Sequence, residues 1–290
     1  MRLRRKHKNR ALCAFFVIFF WWWPMPNSSL QLTPGNDERL DKINENLSLL
    51  QKIGGLTFTT DAYLLAAFAR CLPGSSFADL GSGTGVAAFL CLARDKYRHG
   101  FAVEIQHEFC DLIRRNAALN HLEDRITVLE KDVREIRQAD TAGTVSAVIS
   151  NPPYMPAGSG FASATVQSDM ARRELNGTAM DFCAAAARIL STGGLFYTVY
   201  RPDRMAELIS ALRENHLEPK RMVTVYPDTE SKPCLVLIES KKDAAPGLLQ
   251  PPPLIMYESH ESRIYTPAFQ RIYDEFTMEF LFTASKGVKS

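Results

Sequence analysis

The chain has 290 residues, of which 46% are hydrophobic and 23% are charged, which is typical of a soluble globular protein. Its formal net charge is +2, but residues 1–30 contain six basic side chains and no acid, so the rest of the chain carries 28 basic against 32 acidic residues. That balance of −4 excludes a generally basic nucleic-acid binder, and any nucleic-acid binding requires a local patch. The six cysteines lack the paired spacing of a zinc site or a disulfide framework, which favours free thiols in a reducing compartment and no bound metal.

Residues 1–30 form an N-terminal extension with two interpretations. The basic stretch MRLRRKHKNR and the apolar run from Ala11 to Trp23 are typical of a signal peptide or a membrane anchor. The run is short for a membrane span, and no small-x-small cleavage site follows it. The alternative is a start codon set too far upstream, which leaves a cytoplasmic protein. We exclude these residues from the predicted fold.

From residue 31 onwards the sequence predicts one domain, residues 31–243, in which strands and helices alternate. An amphipathic stretch and a Gly54-Gly55 break precede an apolar helix that begins with Asp61 as its candidate N-cap and ends near Cys71. Further strands are predicted at 77–80, 101–105, 126–130, 145–150, 194–200, 220–226 and 234–240. Helices are predicted at 86–94, from about 106 to 120, at 179–190 and at 203–215.

This alternation predicts an α/β fold with a doubly wound, mostly parallel, seven-stranded Rossmann-like sheet. The last two strands follow each other without a helix, which predicts an antiparallel edge hairpin. Residues 244–290 contain three consecutive prolines and are predicted to form an irregular tail with a short helix.

A glycine-rich loop follows the first of the alternating strands. In FADLGSGTGV, Asp79 lies at the strand end and Gly81, Ser82, Gly83 and Gly85 precede the helix. Glycines at such a turn let the backbone approach a ligand closely, and the helix N-terminus favours a negative group. The spacing matches neither the G-x-G-x-x-G of dinucleotide folds nor a P-loop, so by itself the loop also fits a tight connection.

Polar residues also follow the next three strands. Glu104 closes the second strand, about 20 residues after the loop, where an acid can bind both hydroxyls of a ribose. Asp132 follows the third strand and Asn151 ends the fourth. The carboxyl ends of successive parallel strands open into one crevice, so the four groups together predict an adenosine-type site.

These residues lie in stretches that resemble a known family. DLGSGTG, VEIQ, KDVRE and SNPPY, in that order, resemble the class I S-adenosylmethionine-dependent methyltransferases, and NPPY after the fourth strand resembles the subgroup that methylates planar amino nitrogens. LLQKIGGLTFTTDAYLLAAFA, SDMARREL, YRPDRMAELISALRENHLEPKRMVTVYP and PPPLIMYE…YT are similar to the bacterial tRNA1(Val) adenine-N6 methyltransferase family. The resemblance covers roughly residues 38–275. The chain departs from it at 171–174, where ARRE replaces the usual ARHE, and in residues 1–30, for which the family has no counterpart.

The resemblance implies S-adenosyl-L-methionine as the cofactor, with Glu104 on the ribose and Asp132 near the adenine amino group. The implied cofactor-binding residues are Thr60, Asp79, Gly81, Ser82, Gly83, Gly85, Glu104, Ile105, Asp132, Val133 and Asn151.

The NPPY segment supplies the implied catalytic residues Asn151, Pro152, Pro153 and Tyr154. Adjacent prolines fix φ and lack backbone donors, so the strand must end there. The side-chain oxygen of Asn151 and the carbonyl of Pro152 can each accept an N–H from an exocyclic amino group as it gains charge. Tyr154 offers a ring face to the target base. The plain alternative is a turn that only terminates the strand.

The predicted substrate is adenine N6 in a structured RNA, with tRNA as the first choice. The same acceptors also fit guanine N2 in rRNA, adenine N6 in DNA and a protein glutamine amide, and a non-catalytic RNA-binding module is a further alternative. Substrate contacts are predicted at Arg172, Arg173 and Arg201. With Arg204, Lys220 and Arg221 these residues form either an RNA-facing rim or a solvated surface.

Overall fold

The computed structural model describes residues 31–45, 47–53, 60–152 and 177–283. All of them belong to one compact unit, residues 31–290. The described strands are β1 (Glu38–Asn44), β2 (Leu47–Lys52), β3 (Ser76–Leu80), β4 (His99–Glu104), β5 (Ile126–Glu130), β6 (Val145–Ser150), β7 (Leu190–Tyr200), β8 (Leu217–Tyr226), β9 (Leu235–Lys242) and β10 (Leu254–Ile255). The described α-helices are α1 (Thr60–Phe68), α2 (Val86–Ala93), α3 (His107–Leu119), α4 (Ala179–Ile189), α5 (Met205–Glu214), α6 (Pro267–Glu275) and α7 (Glu279–Thr283).

Eight of these strands form one sheet in the order β10-β8-β9-β7-β6-β3-β4-β5. All neighbours are parallel except that β9 runs antiparallel to both β7 and β8. The predicted mostly parallel sheet with an antiparallel hairpin is thus confirmed, and the two-residue strand β10 adds an eighth strand to the seven predicted. Strands β3, β4, β5 and β6 all end at the same edge, which we call the carboxyl edge.

Helices cover both faces of the sheet, as doubly wound topology requires. One buried cluster joins the sheet to α1, α2 and α3, and a second joins its other face to α4 and α5. The central strands are apolar on both faces because both are buried. None of the helices in the described ranges is long and apolar enough to cross a membrane.

A separate antiparallel hairpin, β1-β2, replaces the amphipathic stretch expected before the first helix. The side chain of Asn116 on α3 accepts from Leu50 N (2.7 Å) and donates to Leu50 O (3.1 Å). Asn120 does the same for Ser48, at 3.0 and 2.7 Å. These two amides pair with the outer edge of β2 as a neighbouring strand would. Helix α1 then begins at Thr60, so Asp61 lies in its first turn and is not its N-cap.

The C-terminal tail, as far as residue 283, contributes β10, α6 and α7 to the fold. Phe269, Ile272 and Phe276 of this segment are buried in the cluster that contains α1. The tail is therefore packed on the core as far as the structure describes it.

Candidate active site

The glycine-rich loop leaves β3 at the carboxyl edge and turns sharply into α2. Gly81 and Gly85 have φ values of +67° and +83°, a left-handed conformation that side chains rarely adopt. A Cβ on Gly85 would lie 2.8 Å from the ring of Phe89, and one on Gly81 would lie 3.0 Å from the ring of Phe182. The turn therefore requires glycine at both positions, since a side chain at either would collide with a buried ring.

Glu104 ends β4 beside this loop and is almost fully buried. Its Oε2 accepts from Gly83 N at 2.8 Å, and its Oε1 accepts from Ile105 N and Gln106 N at 3.0 and 2.9 Å. The carboxylate is thereby fixed across the gap between the β3 and β4 loops. A carboxylate offers about four acceptor positions, so Oε2 can still accept from a ligand hydroxyl.

Asp79, the second acid of this edge, lies within β3 and is buried. Its Oδ2 accepts from the Ser82 hydroxyl at 2.8 Å. The pKa of Asp79 is raised to about 7: burial is the main cause and the nearby negative charge of Glu104 adds to it, whereas hydrogen bonds from Ser82 and from the backbone of Ala88 oppose the rise. A cationic ligand beside the two acids would stabilise the ionised form of Asp79.

Asp132 and two apolar residues complete the side of the crevice after β4 and β5. Asp132 accepts from Arg134 N at 2.8 Å and from Arg134 Nε at 2.9 Å, and this pairing lowers its pKa. The carboxylate of Asp132 caps the short helical turn that follows it, Val133–Glu135. Its contact with an adenine amino group remains a prediction. Val133 is buried, whereas Ile105 is 38% exposed and leaves an apolar surface on which a ring can pack.

Asn151 follows β6, next to the loop that leaves β3. The Ser150 hydroxyl donates to Leu80 O at 2.8 Å and ties the two strand ends together. The Oδ1 atom of Asn151 is buried and accepts no hydrogen bond in the described part of the protein. Buried polar atoms are almost always paired in native proteins, and an exception calls for a functional explanation. This oxygen is available to a donor from a substrate.

Sequence reasoning had not selected Ser150, although a polar residue that closes an apolar strand is a usable signal. Pro152 is buried beside Asn151. Pro153, Tyr154, Arg172 and Arg173 lie outside the described residues, so their predicted roles stay predictions. Thr60 is the exposed first residue of α1, and its cofactor contact also stays a prediction.

The structure tests only some of the basic residues predicted to form an RNA-facing rim. Arg201 lies just after β7 and is ion-paired with Asp203 at 2.9 Å. Arg221 is not on the surface: its side chain is 3% exposed and bonded to Glu239 and Glu279 at 3.2 and 2.8 Å. A place for Arg221 in an RNA-facing rim is therefore wrong. The signal that sequence reasoning missed is Glu239, a charged residue inside an apolar strand, which needs a buried partner.

A comparison with protein families identifies the family of the chain that forms this crevice. The sequence profile described as methyltransferase small domain matches residues 60–219. The chain belongs to this family.

Individual relatives of this methyltransferase agree with the assignment. It is 30% identical to the tRNA1(Val) (adenine(37)-N6)-methyltransferase of Pectobacterium carotovorum, over 75% of this chain and 85% of the relative. It is 28% identical to the protein of the same name from Pasteurella multocida, over 76% of this chain and 90% of the relative. A crystal structure described as a predicted O-methyltransferase from Agrobacterium tumefaciens matches with a TM-score of 0.60 and 25% identity, over 75% of this chain and 97% of that one.

The cofactor of this methyltransferase is S-adenosyl-L-methionine, and the carboxyl edge fits it. Glu104 keeps an acceptor position for a hydroxyl, and buried Asp79 can supply negative charge to a cationic ligand. In the described ranges, no group of three or more His, Cys, Asp or Glu residues is arranged to hold a metal ion.

Proposed function

We propose that this protein transfers a methyl group from S-adenosylmethionine to N6 of an adenine in tRNA, and that it does so in the cytoplasm. The observation that carries the proposal is the buried Oδ1 of Asn151, which accepts no hydrogen bond in the described part of the protein and lies beside the glycine loop. The names of two relatives, matched over 85% and 90% of their length, support tRNA adenine as the substrate.

The chemistry asks little of the protein beyond positioning and charge stabilisation. S-adenosylmethionine supplies an electrophilic methyl group. The lone pair of the adenine amino group is delocalised into the ring, so the nitrogen becomes a good nucleophile only as it pyramidalises and gains positive charge. The Oδ1 atom of Asn151 and the carbonyl of Pro152 each accept one N–H of that nitrogen, and they bind it more strongly as its charge develops. The role we propose for Tyr154, which lies outside the described residues, is to stack on the target base.

An oxygen nucleophile fits this site less well. The name of the Agrobacterium tumefaciens structure refers to O-methylation. A hydroxyl must lose its proton to become a strong nucleophile, and that favours a basic group at the point of attack. The amide oxygen of Asn151 accepts a hydrogen bond but is not a base. The asparagine therefore favours an amino nitrogen, which attacks as neutral NH2 with both hydrogens in place. The N–C bond forms as the methyl–sulfur bond breaks, S-adenosylhomocysteine leaves, and the methylated nitrogen then loses one proton to solvent.

A labelling experiment tests the proposal against its alternatives. Protein purified from the cloned gene is incubated with labelled S-adenosylmethionine and, separately, with total tRNA, total rRNA, DNA and protein from a strain that lacks the gene. We expect label in tRNA, and N6-methyladenosine after digestion to nucleosides. The same incubation with Asn151→Ala provides the control for contaminating activities. Label in rRNA, DNA or a protein glutamine would replace the proposed substrate, and label in none of them would leave a binding module.

A further inference from the structure

Two arginines on the α4 side of the sheet form a pair that the proposed chemistry does not use. Arg137 donates through Nη1 to Arg134 O at 3.3 Å and to Ile136 O at 3.0 Å. Arg188, near the end of α4, donates through its own Nη1 to the same two carbonyls, at 3.2 and 3.0 Å. Two guanidinium groups from segments 51 residues apart are therefore held side by side.

No carboxylate in the described ranges contacts either guanidinium group. Of the acids close to the pair in sequence, Asp132 is paired with Arg134. Asp140 accepts from Lys131 Nζ at 2.7 Å and from the backbone N–H of Arg137 at 2.8 Å. Burial lowers the pKa of Arg188, and the charge of Arg137 lowers it further. Lys131 and, at longer range, the charge of Arg137 lower the pKa of Asp140. The pair is therefore a concentration of positive charge that no carboxylate contacts directly in the described ranges, on a domain whose overall charge is negative.

The position of the pair relates it to the active site. Phe182, in the first turns of α4, packs against Gly81 of the glycine loop. Arg188 follows six residues later on the same helix, which corresponds to about 9 Å along the axis. Arg134, whose carbonyl both side chains share, is only two residues from Asp132 at the carboxyl edge. A polymer whose base occupies the crevice therefore reaches the pair with a nearby part of its backbone.

The hydrogen-bonding geometry selects the ligand. The Nη1 atoms of Arg137 and Arg188 donate to the carbonyls of Arg134 and Ile136. The Nε and Nη2 atoms of both side chains make no hydrogen bond within the described segments. Adjacent Nε and Nη2 donors form the fork that binds two oxygens of a phosphate. We propose that Arg137 and Arg188 bind the phosphodiester backbone of the tRNA substrate. This inference rests on the proposed function, for which it supplies the local basic patch that the sequence requires.

The test measures tRNA binding as a function of salt. The double variant Arg137→Gln/Arg188→Gln removes both charges and keeps an N–H donor for the shared carbonyls. Arg98→Gln is the matched control, because Arg98 is exposed like Arg137, contacts no carboxylate within the described ranges and lies directly before β4, away from α4. For each protein, the dissociation constant for unmodified tRNA is measured between 50 and 200 mM KCl, together with the affinity for S-adenosylmethionine and single-turnover methylation at saturating tRNA.

We expect the double variant to bind tRNA at least tenfold more weakly at low salt. The slope of log K against log salt should fall by about 0.7–0.9 for each phosphate that is no longer neutralised. Cofactor affinity and the rate at saturating tRNA should stay at the wild-type values, and Arg98→Gln should behave as wild type. The charge-conserving double variant Arg137→Lys/Arg188→Lys should retain the slope and bind somewhat more weakly than wild type, since lysine keeps the charge without the fork.

Wild-type affinity and slope in the glutamine double variant would overturn the inference, as would an equal loss of affinity in Arg98→Gln. If the glutamine double variant has a lowered melting temperature, the lysine double variant is used in its place. Its slope of log K against log salt must then match that of wild type. If the wild-type protein binds no tRNA at all, the proposed function fails first, and the two failures are thus distinguishable.

Discussion

Replacing Asn151 by alanine should separate the stability of this protein from its activity. In the free protein, Oδ1 of Asn151 is buried and accepts no hydrogen bond from any described residue. A buried polar group without a partner costs about 1–3 kcal/mol. Removing this oxygen deletes no hydrogen bond in the described part of the protein, so the free energy of unfolding of Asn151→Ala should not fall below that of wild type.

The rate of methyl transfer should respond in the opposite way. In the proposed mechanism the oxygen gains its partner only when an amino group is bound, and it binds most strongly when the nitrogen carries positive charge. Loss of one preorganised partner of this kind lowers kcat by about 10²–10³, equivalent to about 2.7–4 kcal/mol of transition-state stabilisation. Asn151→Asp should lose less, because a carboxylate keeps an acceptor at this position.

The assay is single-turnover methylation of unmodified tRNA at saturating cofactor, with urea unfolding of the same proteins. Ser150→Ala is the matched control: the neighbouring hydroxyl donates to Leu80 O, so its loss should cost about 1 kcal/mol of stability and far less of the rate. Calorimetry should show that Asn151→Ala binds S-adenosylmethionine as wild type does. If Asn151→Ala methylates at the wild-type rate, the segment is only a strand-terminating turn and the catalytic argument fails.

Three further outcomes are expected. Glu104→Gln should bind S-adenosylmethionine more than tenfold more weakly in titration calorimetry, since a charge-assisted bond is lost, and an unchanged affinity would remove Glu104 from the ribose site. The hydrogen bonds from Arg115 lower the pKa of Glu38 from 4.5 to about 2, so this pair should stabilise the fold by at most about 3 kcal/mol above pH 4.5 and lose that effect as the pH falls towards 2. Urea unfolding of wild type and Glu38→Gln should therefore converge in acid, and a constant difference between them would contradict the assignment. A protein that begins at Gln31 should have the same melting temperature as the full chain. One that begins at Asp37 should be less stable by about 1–3 kcal/mol, because Arg115 then loses its hydrogen bonds to Gln31 O (2.6 Å) and Thr33 O (3.0 Å). Equal melting temperatures for the two shortened proteins would show that residues 31–36 contribute nothing to stability.

The sequence by itself determined the alternation of strands and helices, the loop after β3 and the polar residues at four strand ends. These features are local. Hydrophobic periodicity, glycines at left-handed positions and prolines that end a strand each act within a few residues, so a single segment carries the whole signal. Asp79, Glu104 and Asn151 were found because parallel strands of one sheet must end at the same edge.

Only the tertiary structure decided which side chains meet across distant segments. The hairpin before α1 is held on the domain by Asn116 and Asn120, some 70 residues later, which pair with its outer edge. Arg221 is buried because strand register sets it opposite Glu239 on β9. Arg137 and Arg188 form a pair because α4 packs beside the segment after β5. Long-range contacts of this kind depend on register and packing between elements, and neither is encoded in the periodicity of one segment.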